Sequence, residues 1–468
     1  MSSTAAVGMS QVRSASRWDA EFFVNPYNAY LLTIFSRWGD WVSLASVSSK
    51  LTSGQTPLHH DVATGDTPFV TVECVEPLWL DMSKTKRVWE HDARGQLARA
   101  CVARNDVLIT IKRRIGVSCP ILDDPDLMAV NQDVVVMTPK PGFRPAFIAA
   151  VLNSRVGRFQ ALRQATEQMN PYLNITALGQ LLIPQVDDAV QAKVETIVRK
   201  RLELLGQSVQ LYREAEAELL DRLGWEELRA QRAELSFVSN LTDTSSVGRA
   251  DAEFFHPQCA RLSARLSERG AQEIGQFCKK PSRGVQPEIA ETGEVIVVDS
   301  KAVRPLEVEP AVGDRTTRTF YELPRNAKGR VRHGDVLLNS TGRGTLGRAA
   351  CYQSAAPALC DNHVTILRPD PSVCSPVYLA LFLNSPVGLA QSERFQTGSS
   401  GQLEIYPEHI QHFLILLPKR KNGSVDMAWQ ERLAAKVDAA TAAQSAAQVK
   451  FDEAVRVVED ALAAAATP

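Results

Sequence analysis

Most of this 468-residue chain is written twice, and two copies of one pattern fold into two copies of one structure. Arg17-Trp18-Asp19-Ala20-Glu21-Phe22-Phe23 recurs as Arg249-Ala250-Asp251-Ala252-Glu253-Phe254-Phe255. In the same order, Asn105-Asp106-Val107-Leu108-Ile109 matches Gly334-Asp335-Val336-Leu337-Leu338, and Gln132-Asp133-Val134-Val135-Val136 matches Asn362-His363-Val364-Thr365-Ile366. Leu152-Asn153-Ser154 then matches Leu383-Asn384-Ser385, Leu173-Asn174-Ile175 matches Leu403-Glu404-Ile405, and Leu182-Ile183-Pro184 matches Leu416-Leu417-Pro418. One such word is chance; an ordered series at a near-constant shift is duplication. Between the words the copies diverge, most of all at 58–104 against 288–332.

A long apolar-periodic run follows each copy. From Asp187 to Gly224, one stripe takes Val198, Leu202, Leu205, Val209, Tyr212, Leu219 and Leu223, and a second takes Val190, Val194, Ile197, Leu204, Leu211 and Ala215. Asp187 or Asp188 suits the start and Gly224 the stop. A second helix begins at Ser424 or Asp426 and carries Trp429, Leu433, Val437, Ala440, Ala447, Phe451, Val455, Val458 and Leu462. Its alanines allow close approach, so the two helices are expected to pack on each other. The division is a globular segment at 1–185, a central helix at 186–225, a linker at 226–248, a second globular segment at 249–420 and a C-terminal helix at 421–468. Short β-branched runs punctuated by Gly, Pro and Asp predict α+β globules with a strongly bent sheet. One late helix is expected in each, at 147–162 and 377–391.

Composition excludes several classes. Apolar residues make up 44% and charged residues 22%, values of a soluble globular chain. Lys plus Arg (52) nearly balance Asp plus Glu (53), so nucleic-acid contact has to come from local patches or be shared with partners. The eight cysteines form no C-x-x-C pair, which predicts free thiols. No transmembrane-length run and no leader-like start at Met1–Val12 are present, so a cytoplasmic protein with no membrane partner is expected.

Candidate binding residues lie in corresponding regions. Ser53, Gly54, Gln55 and Thr56, before Pro57, form a turn echoed at Arg283-Gly284-Val285-Gln286-Pro287; turn chemistry alone explains such a stretch about two times in three. Basic clusters are Lys84, Lys86 and Arg87, then Lys112, Arg113 and Arg114, in copy one, and Arg325, Lys328, Arg330 and Arg332, then Arg343 and Arg348, in copy two. Charge clusters are usually solvated faces. These flank strand-forming blocks beside loops that differ, where a groove reader places phosphate clamps and guanine-reading arginines. Gly342 to Gly347 fits G-x-G-x-x-G without the helix that should follow, so dinucleotide binding is discarded. Asn25-Pro26-Tyr27 and Asn170-Pro171-Tyr172 fall short of an adenine methyltransferase box. His59-His60 and the His409/His412 pair lack companions at metal-ligand spacing. No catalytic residue and no metal site are expected.

Taken together, the Arg-x-Asp-Ala-x-Phe-Phe openings, the Ser-Gly-x-Thr-Pro turn, the Asp-Val-Leu strand, the Leu-Asn-Ser helix and the Pro-closed strand before a long helix resemble the specificity subunit of type I restriction-modification enzymes. The resemblance covers the chain from about Arg17 to the C-terminal helix. It implies two pseudo-repeated α+β target-recognition domains separated by two long antiparallel, coiled-coil-like helices. Each domain would read half of a split, asymmetric site on double-stranded DNA. The subunit itself would be non-catalytic and hold no cofactor. It would dock DNA adenine methyltransferase subunits, which use S-adenosylmethionine, and restriction/translocase subunits, which use ATP and Mg. Arg-Gly-Val-Gln-Pro in place of Ser-Gly-Gln-Thr-Pro departs from the pattern in copy two. Two alternatives remain open: the recognition component of another DNA-modifying defence system or methylation-only complex, and a self-contained methyltransferase or nuclease.

Overall fold

The computed structural model describes residues 20–59, 64–166, 170–229, 236–238, 240, 242, 244–245, 249–309, 313–398 and 403–464. Arg17 to Asp19, His60 and much of the 226–248 linker lie outside these residues, as does Met1–Val12. The chain forms two units, one of residues 1–205 with 445–468, the other of residues 206–444.

In the first unit a four-stranded antiparallel sheet runs β2 (Ser48–Ser53), β10 (Val134–Pro139), β7 (Val107–Thr110), β8 (Ser118–Pro120). A smaller mixed sheet runs β6 (Lys86–Val88), β3 (Thr67–Val70), β9 (Ala129–Val130), with β3 and β9 parallel. Two short antiparallel pairs complete it: β1 (Trp41–Ser43) with β11 (Leu182–Pro184), which joins the two ends of the globular segment, and the hairpin of β4 (Val75–Glu76) with β5 (Trp79–Leu80). The second unit repeats this pattern. Its four-stranded sheet runs β13 (Cys278–Arg283), β22 (Val364–Pro369), β19 (Val336–Asn339), β20 (Ala349–Cys351). Its smaller sheet runs β17 (Arg315–Thr316), β14 (Val295–Val298), β21 (Ala358–Cys360), β18 (Arg330–Val331), and its pairs are β12 (Gln272–Glu273) with β23 (Leu414–Ile415) and β15 (Val303–Arg304) with β16 (Glu307–Val308).

Each globule therefore holds two sheets rather than one bent sheet. The period-2 rule shows why the β-branched runs are apolar throughout. Val107, Ile109, Val135 and Met137 face a helical layer, while Leu108, Val134 and Val136 face the smaller sheet with Val70 and Val130. In the second unit Val336, Leu338 and Leu367 face the helices, and Leu337, Val364 and Ile366 face Val298, Ala358 and Cys360.

The single late helix expected in each copy is two helices, Pro145–Asn153 with Arg155–Gln164, and Pro376–Asn384 with Pro386–Phe395. The break falls at Ser154 and Ser385, whose hydroxyls cap the second helix at the amides of Gly157 and Gly388. A Cβ on Gly157 would lie 2.1 Å from the Val151 carbonyl oxygen, and one on Gly388 2.4 Å from that of Leu383, so only glycine permits the bend.

The repeated words hold the fold together. Asn153 donates to the carbonyls of Ser118 (2.7 Å) and Ala149 (2.8 Å), and Asn384 donates to those of Ala349 and Ala380 (both 2.7 Å). Gln160 grips both backbone groups of Leu182 (3.0 and 2.7 Å), and Gln391 does the same to Leu414 (3.0 and 2.6 Å). Gln191 accepts from the Arg144 amide and Gln430 from the Ser375 amide, each at 2.9 Å. Arg249 grips Asp251 through two nitrogens, at 2.8 and 2.6 Å, and bonds the carbonyls of Phe395 and Gln396. Arg394 stacks on Phe254 as Arg163 does on Phe22, so the opening word is a clamp on the end of the second late helix.

Three equivalences differ from the sequence reading, the first being that Leu182 matches Leu414 rather than Leu416, since Gln160 and Gln391 grip them alike. The 58–104 and 288–332 stretches, which share little sequence, make the same hairpin, with Leu78 (φ 58°) and Leu306 (φ 66°) both left-handed. Their amides bond the edge strands at Ser118 and Ala349, both at 2.9 Å. Leu173 matches Ile405 rather than Leu403, because the Leu173 amide bonds Ile111 as the Ile405 amide bonds Ser340. The connection before it is longer by one residue in copy two, Thr397 to Glu404 against Thr166 to Tyr172, which displaced the alignment.

The long helices span Asp188–Leu223, 36 residues or about 54 Å, and Met427–Ala464. Gly224, at φ 61°, ends the first, and the Asp426 carboxylate accepts the Trp429 amide at the start of the second. The first helix buries polar residues that an apolar count passes over, including Gln191, Arg201 and Ser208. Within the first unit, Val194 and Val198 share a core with Ala454, Val458 and Leu462. Arg201 bonds the carbonyls of Ala447 (2.6 Å) and Pro77 (3.2 Å), and burial pushes its guanidinium down to about 10. Within the second unit, Glu218 pairs with Arg432 and Lys436 while Arg222 stacks over Trp429, an antiparallel register.

Asn384→Ala leaves the Ala349 carbonyl without its amide partner. It should destabilise the second unit by about 1–3 kcal/mol, the cost of orphaning a buried group. Urea unfolding should show a lower midpoint with an unchanged slope.

Candidate nucleic-acid interface

Both four-stranded sheets end at the same turn. Gly54 donates to Val134 (3.0 Å) and Gly284 to Val364 (3.1 Å). A Cβ would meet the carbonyl oxygen of Val130 at 2.0 Å in copy one and that of Asp361 at 2.1 Å in copy two. The glycine is required because the chain passes against the end of the smaller sheet, in both copies alike. Ser53 and Gln55 beside it are half-buried and Thr56 is exposed. Beyond the turn an apolar side chain stands in water in each copy, Leu58 at 80% exposure and Ile289 at 52%.

Ringing this turn are polar positions that the ladder makes equivalent. Ser53 lies opposite Val135 as Arg283 lies opposite Thr365. The Ile111 amide bonds the Asp133 carbonyl as the Ser340 amide bonds that of His363, both at 3.0 Å. Lys112 bridges to Tyr172 as Thr341 bridges to Glu404. In copy one Lys112 pairs with Asp133 at 3.0 Å and lies over the Tyr172 ring. In copy two Arg283 pairs with Glu404 and lies over Tyr406, and Thr341 shares a 2.9 Å hydrogen bond with His363. The sequence reading named Ser53 and Lys112 here but missed Asp133, Tyr172, Thr341, His363 and Glu404. The mismatch of Asp133 with His363 inside a repeated word would have pointed to that pair; the others lie outside the words or were offset within them.

The remaining basic candidates divide by what they touch. Lys84 bonds Glu76 (2.8 Å) and Asp81 (3.0 Å), Arg113 pairs with Glu73, and Arg114 bonds Glu76 and the Val75 carbonyl. Arg113 and Arg114 thus brace the loop after β7 against β4 and the turn before it, while Lys84 ties the turn after β5 to β4. Lys86 is half-buried on β6, and Arg87 bonds the Asp66 carbonyl at 3.2 Å. Arg330 bonds the carbonyls of Tyr321 and Leu323, which fixes the turn at Pro324–Gly329. Arg325, Lys328, Arg332 and Arg343 are exposed. Burial, with Arg304 nearby, lowers the pKa of Arg348. Arg343 and Arg348 line an open cavity of about 860 Å³ in the second unit.

The Gly342–Gly347 turn leads into β20, not into a helix, and Asn25 makes a local turn to the Tyr27 amide at 2.9 Å. His412 meets Glu273 at 3.2 Å. All eight cysteines are free. Among the described residues no group of three metal-binding side chains occurs, and no helix is long and apolar enough to cross a membrane.

Comparison with solved structures finds similarity to the type I restriction-modification S subunit from M. genitalium, at 11% identity over 92% of this chain and 96% of that one, with a TM-score of 0.42. The chain is also similar to the HsdS subunit from Thermoanaerobacter tengcongensis, at 14% identity over 90% and 96%, TM-score 0.27. A chain from a structure of the type I R-M system aligns at 15% identity over 91% and 97%, TM-score 0.27. No family model and no curated protein matches the sequence.

Burial raises the Asp361 carboxyl to about 6 although the His363 amide and ring oppose it, and Asp299 adds to the rise. An unfolded aspartate titrates near 3.9. The raised value therefore contributes stability that is fully present below about pH 4 and lost as pH rises through about 6. Copy one has Asn131 at this position, its Oδ1 accepting the Asp133 amide. Asp361→Asn should flatten the fall in stability between pH 4 and 6 and raise the urea midpoint at pH 7. An unchanged pH profile would show that Asp361 is not the group that titrates there.

Proposed function

We propose that this chain is the DNA-recognition subunit of a type I restriction-modification assembly, each unit reading one half of a split duplex site. The observation that carries this reading is a division of labour within the duplication. Residues that hold the fold are the same in both copies: Gly54/Gly284, Asn153/Asn384, Gln160/Gln391 and Gln191/Gln430. Polar residues around the shared turn differ at each matched place. One scaffold presenting two faces suits one operation on two targets.

The charge balance fits this role. With a net charge of −1 the chain supplies little non-specific attraction to phosphates, so DNA affinity would be shared with partner subunits. Those partners would be adenine methyltransferase subunits, which bring S-adenosylmethionine, and through them ATP- and Mg-dependent translocase subunits. The chain itself would do no chemistry, and it would work in the cytoplasm. Exposed Arg325, Lys328 and Arg332 suit phosphate contacts.

The test is the methylation pattern of the host genome. Deleting the chain should abolish one two-part methylated motif. Replacing residues 20–184 by the same segment of a relative should change one half of that motif and leave the other. Methyl transfer to DNA by the purified chain alone, or a swap that changes both halves, would contradict the reading.

A further inference from the structure

We infer that the four side chains ringing each Gly54/Gly284 turn are the base-reading set of that unit: Ser53, Lys112, Asp133 and Tyr172 in one, Arg283, Thr341, His363 and Glu404 in the other. This rests on the DNA-recognition reading above and deepens it by naming the specificity-determining residues.

The ladder hydrogen bonds place the two sets at the same backbone positions, so the differences between them are substitutions on one frame. All four positions change chemical type: hydroxyl to guanidinium, ammonium to hydroxyl, carboxylate to imidazole, phenol to carboxylate. Beneath them Gly54/Gly284 and Val134/Val364 are unchanged, while Ile111 gives way to Ser340 and Val135 to Thr365. Drift on an idle surface would leave no reason for each set to hold its own cation–anion pair, yet each does. Lys112 satisfies Asp133 and covers Tyr172; Arg283 satisfies Glu404 and covers Tyr406. The groups remain within reach of solvent, with side-chain exposures of 43% for Lys112, 23% for Arg283 and 30% for Glu404.

Such a set suits base edges better than phosphates. Each pairs a cation with an anion, so it adds almost no net field, while offering fixed donors beside fixed acceptors. Lysine and arginine donors match the guanine O6/N7 edge, and aspartate and glutamate accept from the cytosine amino group. The apolar side chains projecting from the same turns, Leu58 and Ile289, would then meet thymine methyls or a base step. The bracing pairs Arg113–Glu73 and Arg114–Glu76 are not part of the set, because their partners lie on β4 and the turn just before it.

The experiment uses the full chain, recovered from its host with the proteins that accompany it, and a library of randomised DNA duplexes. Ser53→Arg, Lys112→Thr, Asp133→His and Tyr172→Glu together transplant the second set into the first unit. The enriched motif should change in one part only, by roughly 5- to 150-fold in preference at each base lost or gained. If thermal melting shows that the fourfold variant does not fold, Lys112→Thr and Thr341→Lys separately carry the same test, one for each half. A wild type with a two-part motif beside variants with the same motif overturns the assignment. So does uniform weakening with the motif unchanged, which places these residues on phosphates. A wild type that enriches no two-part motif overturns the reading of function itself, and the assignment with it.

Discussion

Small sheets leave backbone groups unpaired at their edges, and in this protein side-chain amides close them. A carboxamide carries one donor group and one acceptor at nearly the spacing of a peptide unit, so it can stand in for a neighbouring strand. Asn153 and Asn384 do this for β8 and β20, and Gln160 and Gln391 for β11 and β23. Because these amides sit on the two late helices, satisfying the edges also fixes where the helices lie. An apolar residue there would leave the strand groups buried without partners, at a cost of about 1–3 kcal/mol for each. The edges are thereby closed to pairing with another chain as well.

That arrangement frees the opposite end of each sheet. With the helical layer anchored by amides and the smaller sheet packed on the other face, the turn at Gly54 or Gly284 inherits a fixed position. The side chains around it can change without loss to the core. The same separation explains why two stretches with little common sequence, 58–104 and 288–332, still form one hairpin: the demand falls on Leu78 and Leu306 holding left-handed backbone, and on their amides reaching an edge strand.

The duplication, the two long helices and the α+β class were legible because each repeats over many residues. The structural purpose of the opening word was not, since Arg249 acts on carbonyls 146 and 147 residues away. The break at Ser154 was hidden because Pro145–Asn153 and Arg155–Gln164 follow each other without a proline between them, and only the close approach of Gly157 to the Val151 carbonyl, which a Cβ would forbid, marks the bend. Gln191, Arg201 and Ser208 were invisible to an apolar count although all three are buried. Of the candidate site, the Gly54 turn was legible and its neighbours mostly were not. Charge clusters in sequence do not reveal which cations already have carboxylates: Arg113 and Arg114 do, through Glu73 and Glu76, which lie about 40 residues upstream.

The first unit takes its last layer from residues 445–464, after all of the second unit has been made. On a ribosome working at about 5–20 residues per second, the interval between Leu205 and Ser445 is on the order of tens of seconds. Throughout it the apolar faces of Val194 and Val198 lack Ala454, Val458 and Leu462. A nascent chain is thus completed from the inside outward, and its earliest-made globule is the last to be sealed. A message cut short near its end would spare the second unit and unseal the first, although residues 1–205 would still be made.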